Sequence, residues 1–325
     1  MNTFGHNFRL TVFGESHGEH VGIVMDGASP GLDLSENDFL HDLGRRRSGI
    51  TGSTARLEKD LPKIISGVFS GRTTGAPVTI LFANEDKRPR DYYDFINHPR
   101  PSHADLTART KYKGFNDPRG GGMFSGRMTV CLVAAGVVAK KMLPQVTFET
   151  TPVEIGGCND PSRFEEIINA ASAEGDSLGG VIQTTVNGLT PGYGEPFFDS
   201  AESMISHLLF SIPAVKGVEF GAGFAAAAKK GSENNDIIID GKGTTATNND
   251  GGINGGITNG NPLIVRVAIK PVPSIQKPQH TYNFGSRRVE ELEIKGRHDV
   301  CIALRASVVV ESAIAIALAD LSARK

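Results

Sequence analysis

Five short segments of this sequence place arginine, histidine or serine beside glycine, a combination that suits anion binding and proton transfer. Guanidinium groups match the oxygens of phosphate and carboxylate, and histidine exchanges a proton near neutral pH. The segments are residues 14–18, 44–49, 100–105, 119–127 and 295–301. Each segment alone has an ordinary structural explanation. Their shared character predicts a pocket for a polyanionic small molecule, lined by groups that can move protons.

The first segment reads Gly-Glu-Ser-His-Gly and directly follows a predicted strand at residues 9–13. It matches the G-x-S-x-G pattern of hydrolases, in which a nucleophilic serine sits between a strand and a helix. The next residues, 21–27, are strand-like, so the context of that pattern is missing. A hairpin turn with a surface histidine is the simplest alternative. A cluster of Glu15, Ser16 and His17 is more than a turn needs, which favours a site.

An arginine run, Arg45-Arg46-Arg47, ends the helix that is predicted to follow Ser35. Cations at a helix C-terminus interact favourably with the helix dipole, so a solvated helix end explains the run without any function. The same guanidinium groups suit a clamp for phosphate or carboxylate. The pattern leaves both interpretations open.

Two further segments are equally ambiguous when each is taken alone. Residues 100–105 read Arg-Pro-Ser-His-Ala-Asp, which fits either an acid–base group or an N-cap ahead of a helix. Residues 119–127 place three glycines before a predicted helix, where backbone N–H groups suit an anion. The glycine run matches neither the P-loop nor the dinucleotide fingerprint, which disfavours an NTPase or a Rossmann cofactor site.

Composition excludes several classes of protein. The 325 residues include 34 Lys and Arg against 36 Asp and Glu, a net charge of -2, which argues against a general nucleic-acid binder. Three widely spaced cysteines, without a Cys/His cluster, indicate reduced thiols and support neither a disulfide framework nor a zinc site. No signal peptide is recognised at the N-terminus. The most apolar window, 307–321, contains two acidic residues and is too short to span a bilayer. These features predict a cytoplasmic protein without a membrane segment.

The pattern of secondary structure predicts an α+β or α/β chain. The predicted strands are 9–13, 21–25, 63–69, 77–82, 146–155, 179–185, 215–220 and 262–269, and the predicted helices are 36–47, 127–142, 161–173, 200–210 and 313–323. The order of helix, strand, turn and strand occurs twice, the second time with a long insertion. This repeat predicts one pseudo-symmetric domain over residues 1–325.

Taken in order, the motifs of this chain resemble those of the chorismate synthase family. The resemblance covers nearly the whole chain and rests on residues 14–18, 24–27, 45–47, 100–105, 120–127, 214–219, 270–271 and 296–299. It implies an enzyme that converts 5-enolpyruvylshikimate 3-phosphate to chorismate and phosphate by a 1,4-elimination. It also implies a need for reduced FMN without net oxidation, a homotetramer, and an α+β fold in which a β-α-β sandwich contains an internal pseudo-two-fold repeat.

The resemblance also implies roles for particular residues. His17 corresponds to the proton donor for the leaving phosphate, His103 to a group that tunes the flavin, and Ser16 with Asp299 to a proton relay near flavin N5. The implied substrate ligands are Arg46, Arg56, Arg100, Arg127 and Arg297. The implied FMN contacts are Met123, Phe124, Ser125, Pro213, Ala214, Gly255, Lys270, Pro271, Ser274 and Arg297. No metal is implied.

The chain departs from the family pattern at three places. Met123-Phe124 stands where members often carry a polar pair such as Arg-Ser. A further arginine that many members carry after the arginine run is absent from residues 50–53, so Arg56 is expected to replace it. The region from residue 144 to 160 is shorter than in most members. Because no Rossmann fingerprint is present, an outside reductant is expected for the flavin, rather than direct reduction by NADPH.

Overall fold

Two antiparallel sheets enclose a layer of helices in the computed structural model, which describes residues 2–47, 58–86, 89–294 and 298–322. This arrangement confirms the predicted α+β class. The helices are α1 (Leu40–Arg46), α2 (Asp105–Lys111), α3 (Thr129–Met142), α4 (Phe164–Ala173), α5 (Ala201–Ser211), α6 (Gly231–Asn234) and α7 (Ala303–Ser322). Short 3-10 turns precede several of them, including residues 36–39 before α1.

The first sheet has the order β1-β2-β3-β7-β4, and the second has the order β10-β13-β9-β8. Three further strand pairs, β5–β6, β11–β12 and β14–β15, form separate hairpins. The strands are β1 (Thr3–Phe4), β2 (Arg9–Gly14), β3 (His20–Asp26), β4 (Lys63–Ser66), β5 (Val68–Phe69), β6 (Arg72–Thr73), β7 (Val78–Ala83), β8 (Thr147–Ile155), β9 (Gly180–Asn187), β10 (Val215–Phe220), β11 (Ile253–Asn254), β12 (Ile257–Thr258), β13 (Leu263–Ile269), β14 (Gln279–Asn283) and β15 (Arg288–Leu292).

The predicted internal repeat is confirmed by the topology. Each half runs through two strands, a helix, two strands and a long helix, as β2-β3-α1-β4-β7-α3 and then β8-β9-α5-β10-β13-α7. Both halves pair their strands in the same order, β2-β3-β7-β4 and β8-β9-β13-β10. The predicted long insertion separates β10 from β13 and contains α6, β11 and β12.

The long helices α3 and α7 pack against each other between the sheets, with α3 against β3 and α7 against β8 and β9. Both helices are buried over most of their length, as expected for helices that are apolar on all sides. Gly136 on α3 permits the close approach, because a Cβ there would lie 2.4 Å from the Cβ of Ser312. A buried hydrophobic cluster continues from one sheet through the helices to the other. That residues 1–325 form one domain stays a prediction.

Two predicted element boundaries were wrong. Helix α7 begins at Ala303 and not at Ala313, and the strand predicted over 63–69 is divided into β4 and β5 at Gly67. The three valines 308–310 lower helix propensity by roughly 0.5 kcal/mol each. Their burial in the helix layer contributes about 1.5 kcal/mol or more per side chain, so packing decides in favour of the helix.

None of the helices in the described ranges is long and apolar enough to cross a membrane. Within the same ranges, His, Cys, Asp and Glu side chains form no group of three or more that could hold a metal ion.

Near its C-terminus, α7 is joined to the start of the chain by Asp320. The fully buried carboxylate accepts hydrogen bonds from the backbone N–H groups of His6, Asn7 and Phe8, at 2.9, 2.6 and 2.8 Å. Asp320→Ala would leave these donors without their charged acceptor. We expect it to lower the free energy of unfolding by about 2–4 kcal/mol, measured by urea denaturation. A change below about 0.5 kcal/mol, usual for surface substitutions, would contradict this assignment.

Candidate active site

A cavity of about 630 Å³ lies where α1 and α5 end and where α3 and α7 begin. Its size is within the range of small-molecule sites. Twelve of the residues predicted for the site line it: Arg46, Arg100, His103, Met123, Phe124, Ser125, Arg127, Pro213, Ala214, Lys270, Ser274 and Asp299. The structure therefore gathers side chains that are far apart in sequence around one volume.

Four of the predicted residues that the structure describes do not line the cavity: Ser16, His17, Gly255 and Pro271. Arg56 and Arg297 lie outside the described residues. Gly255 occupies the turn between β11 and β12, and Pro271 follows β13, but neither lines the cavity. Ser16 and His17 lie behind the cavity wall, at the turn between β2 and β3.

The wall in front of His17 consists of Gly120 and Tyr92, which both line the cavity. The His17 ring meets the Tyr92 ring edge to face, with 5.1 Å between centroids. Gly120 has φ +59°, and a Cβ there would lie 2.3 Å from His17 Nδ1 and 2.8 Å from Ser16 Oγ. Only glycine allows this approach. Because Ser16 is fully buried between two antiparallel strands, the strand-to-helix context of a hydrolase nucleophile is absent.

Asn84, at the end of β7, links the turn that carries His17 to an arginine of the cavity. Its side-chain amide donates to the carbonyls of Glu15 and Gly18, each at 3.0 Å. Its Oδ1 accepts a hydrogen bond from Arg127 Nε at 2.8 Å. One buried amide thus fixes two predicted functional groups relative to each other.

Arg100, His103 and Asp105 form a connected group at the start of α2. Arg100 donates from Nε to Asp105 Oδ2 and from Nη2 to Asp105 Oδ1, both at 2.8 Å, and from Nη1 to Ser274 Oγ at 3.1 Å. His103 Nδ1 lies 2.6 Å from Asp105 Oδ1. Burial opposes ionisation of Asp105, but hydrogen bonds from Arg100 and His103 outweigh it and hold the pKa of this carboxyl well below its usual value.

The ionised Asp105 assigns the tautomer of His103. A carboxylate only accepts hydrogen bonds, so the 2.6 Å contact with Asp105 Oδ1 places a proton on Nδ1, whereas the donor Arg100 Nη2 lies farther from the same nitrogen, at 3.0 Å. The other nitrogen, Nε2, is then the atom that can exchange a proton, and it lies near the backbone of Gly121. The sequence left open whether residues 100–105 were an acid–base group or an N-cap; Asp105 is the first residue of α2, so the segment also begins a helix.

Asp60 bridges Arg46 and Arg127. Its Oδ2 accepts from Arg46 Nη1 at 2.8 Å, and its Oδ1 accepts from Arg127 Nη1. Burial is the main cause that lowers the pKa of Arg46 to about 10, with Asp60 opposing the shift and Arg127 and Arg305 adding to it. Arg46 therefore keeps its charge at neutral pH.

The first member of the arginine run has a structural role. Arg45 donates both Nη groups to Glu311 on α7, at 2.8 and 2.7 Å, and Lys140 on α3 donates to Asp42 at 2.6 Å. Burial would raise the pKa of Glu311, but hydrogen bonds and charge from Arg45 and Lys140 lower it. These pairs hold the end of α1 on the helix layer and so direct the next residue, Arg46, to the cavity.

Arg305 and Asp299 pair at the start of α7. Arg305 Nη1 donates to Asp299 Oδ1 at 2.7 Å, and Arg305 Nε donates to the carbonyl of Arg46 at 2.9 Å. Both side chains line the cavity. The predicted relay residue Asp299 is therefore held in place by an arginine that sequence reasoning missed.

A further part of the cavity lining joins apolar side chains to two lysines. Met123, Phe124 and Pro213 line it together with Lys216 and Lys270. Burial and, next, the charge of Lys216 lower the pKa of Lys270. A bound anion would relieve this repulsion, so the wall suits a ligand with an apolar ring and a negatively charged tail.

Sequence reasoning missed Asp60, Asn84, Lys216 and Arg305 as residues of the site or its support. Asp60 and Asn84 stand in polar stretches without a motif. Arg305 precedes the helix start that was predicted at Ala313. A helix predicted from Ala303 would have included Arg305. Lys216 was part of a motif used for family resemblance, but no role was attached to it.

Comparisons with known proteins agree with this geometry. The family model described as chorismate synthase matches residues 8–322. A chorismate synthase of Chitinophaga pinensis is 57% identical over 98% of this chain and 96% of its own length. One of Korarchaeum cryptofilum is 47% identical, with coverage of 98% and 96%. A solved structure titled "Crystal Structure of Chorismate Synthase" has a TM-score of 0.74 and 29% identity, and covers 98% of this chain and 92% of that chain.

Proposed function

We propose that the cavity is the active site for the reaction of the chorismate synthase family, because this chain belongs to that family. The reaction is the 1,4-elimination of phosphate from 5-enolpyruvylshikimate 3-phosphate, which gives chorismate. One observation carries the proposal: Arg46, Arg100 with His103, and Arg127 come from three separate segments of the chain and line the same volume. Convergent cations suit a substrate with one phosphate and two carboxylates.

The elimination breaks a C–O bond to phosphate and removes a proton from a ring carbon, so a double bond forms without net oxidation. We propose His17 as the group that protonates the leaving phosphate. The backbone of Gly120 and the ring of Tyr92 lie between it and the cavity, so the proposal requires one of these groups to move when substrate binds, because a general acid acts only within hydrogen-bond reach. The relay role of Ser16 and Asp299 stays a proposal, supported by the position of Asp299 at the cavity.

Reduced FMN is the proposed cofactor, and the residues present fit it. Met123, Phe124 and Pro213 offer apolar contact to a ring system, while Lys216 and Lys270 offer positive charge to its phosphate. When bound, reduced FMN would supply electron density beside the breaking bond. His103 would act at the flavin through Nε2, with its orientation fixed by Asp105. The expected outside reductant, the roles of Arg56 and Arg297, and the contacts of Gly255 and Pro271 stay predictions.

We also propose a homotetramer that binds neither nucleic acid nor membrane and resides in the cytoplasm. Large apolar side chains are exposed on this chain, among them Phe197, Phe198, Phe224 and Ile237. Such surface on a single chain is typical of contacts between subunits. The three cysteines are free thiols, in keeping with a reducing compartment.

Anaerobic incubation with the enolpyruvyl substrate and reduced FMN tests the function. We expect stoichiometric release of phosphate and formation of chorismate, with no net oxidation of the flavin measured by its absorbance. Equal turnover with oxidised FMN, or without FMN, would contradict the flavin requirement. A flavin-binding module would bind FMN and leave the substrate intact, and a serine hydrolase would be labelled at Ser16 by a phosphonate.

A further inference from the structure

Asp60 occupies an unusual place for an acidic residue, because it lies inside the wall of a cavity that is expected to bind anions. It is 3% exposed and lines the cavity beside Arg46 and Arg127. A negative charge there opposes the binding of phosphate or carboxylate by simple Coulomb repulsion. A favourable effect on anion binding, exerted through Arg46 and Arg127, would account for a carboxylate in this position.

The contacts of Asp60 connect it directly to both arginines. Each carboxylate oxygen accepts from a different guanidinium group, Oδ2 from Arg46 and Oδ1 from Arg127. The other contacts of Arg46 are Thr129 Oγ1 at 3.0 Å and the carbonyls of residues 126 and 127. These partners are neutral, so Asp60 is the charged group among the described hydrogen-bond partners of the two guanidinium groups.

The backbone of Asp60 supports the same conclusion. Its φ of +49° lies in the left-handed region, which non-glycine residues rarely adopt. Residues in this conformation persist where the surroundings demand it, and they concentrate at functional sites. The hydrogen bonds from Arg46 and Arg127 explain why Asp60 keeps this backbone conformation.

We propose that Asp60 is a positioning residue that aligns Arg46 and Arg127 for the phosphate or carboxylate of a bound ligand. By holding both guanidinium groups, it keeps two like charges close together in the empty cavity and fixes the direction of each planar fork. The inference deepens the proposed function, since it assigns a role within the same anion site.

Calorimetric titration with inorganic phosphate tests the proposal without FMN or turnover. Asp60→Asn removes the charge and one acceptor, and we expect phosphate binding to weaken by about tenfold or more. Asp60→Glu keeps the charge but displaces the carboxylate, and the same direction is expected; it carries the test if Asp60→Asn does not fold. Binding that is unchanged or tighter in the folded variants would overturn the proposal, as would the absence of phosphate binding by the wild type.

Asp320→Asn is the matched control. Asp320 is also a buried, hydrogen-bonded aspartate, but it lies near the C-terminal end of α7, whereas the cavity meets α7 near its N-terminal end. The two ends of this helix are about 30 Å apart. We expect a loss of stability with phosphate affinity within about twofold of wild type. An equal loss of affinity in both variants would reduce Asp60 to a structural residue.

A double-mutant cycle with Arg46→Ala shows whether Asp60 acts through the arginine. If it does, the combined variant loses clearly less affinity than the sum of the single losses. Additive losses would overturn the proposal. In turnover assays we expect KM to rise more than kcat falls in Asp60→Asn, the pattern of lost ground-state binding. If the wild type binds phosphate but is inactive, the proposed function is contradicted, whereas the double-mutant cycle can still be measured through phosphate affinity.

Discussion

His103→Ala is expected to lower kcat by about 10²–10⁴-fold, the usual contribution of a positioned acid–base group. The structure gives the physical reason: Nδ1 lies 2.6 Å from a carboxylate, which leaves Nε2 for proton exchange at the cavity. His17→Ala is expected to cause a loss of the same size. Both rates are to be measured anaerobically with saturating reduced FMN and substrate.

The control for the histidine variants is His280→Ala. His280 is exposed on β14 and does not line the cavity, so we expect the kcat of His280→Ala to stay within about twofold of wild type. Thermal unfolding of all three variants separates catalysis from folding. Rates near that of the wild type in both His17→Ala and His103→Ala would leave these side chains without a part in proton transfer.

Gly120→Ala is expected to lower kcat by about 10²-fold or more, because a displacement of about 1 Å in a catalytic group is enough for such a loss. The added Cβ would lie 2.3 Å from His17 Nδ1 and 2.8 Å from Ser16 Oγ, so at least one of these groups must move. Alanine at φ +59° also strains the backbone. Single-turnover phosphate release measures the effect on the chemical step.

Gly71→Ala is the matched control, since Gly71 also has a positive φ, +75°, but a Cβ there meets nothing within 4 Å. Both substitutions strain the backbone, whereas only Gly120→Ala pushes on the histidine. We expect Gly71→Ala to lose stability and keep kcat. A normal rate in folded Gly120→Ala would show that the close approach of His17 has no catalytic importance.

Local patterns in the sequence were sufficient for most elements of the fold. Strands β13 and β7 are mostly apolar runs that directly follow Pro262 and Pro77, so both were predicted within one or two residues. The hairpin β14–β15 was not predicted, because its residues are mostly polar and its sequence has little hydrophobic periodicity. The early start of α7 was missed because its stability comes from burial between elements that are distant in sequence.

The candidate site was predictable only where a motif marked it. Gly120 and His103 stand in recognisable segments, and the structure brings both to one cavity. Asp60 has an unremarkable sequence context, and its importance arises from two arginines that are 14 and 67 positions away along the chain. Contacts of this kind depend on the tertiary fold, so they cannot be predicted from a local sequence pattern.

The repeated order of elements places equivalent segments of the two halves around one cavity. The end of α1 brings Arg46 and the segment just after α5 brings Ala214, while α3 and α7 both begin there. Duplication of a half-length gene would produce such an arrangement. The two halves contribute different groups: Arg46, Arg100 and Arg127 come from the first, and Lys216, Lys270, Asp299 and Arg305 come from the second. An ancestor with two identical halves would have presented the same groups twice, so the present chemistry required the halves to diverge.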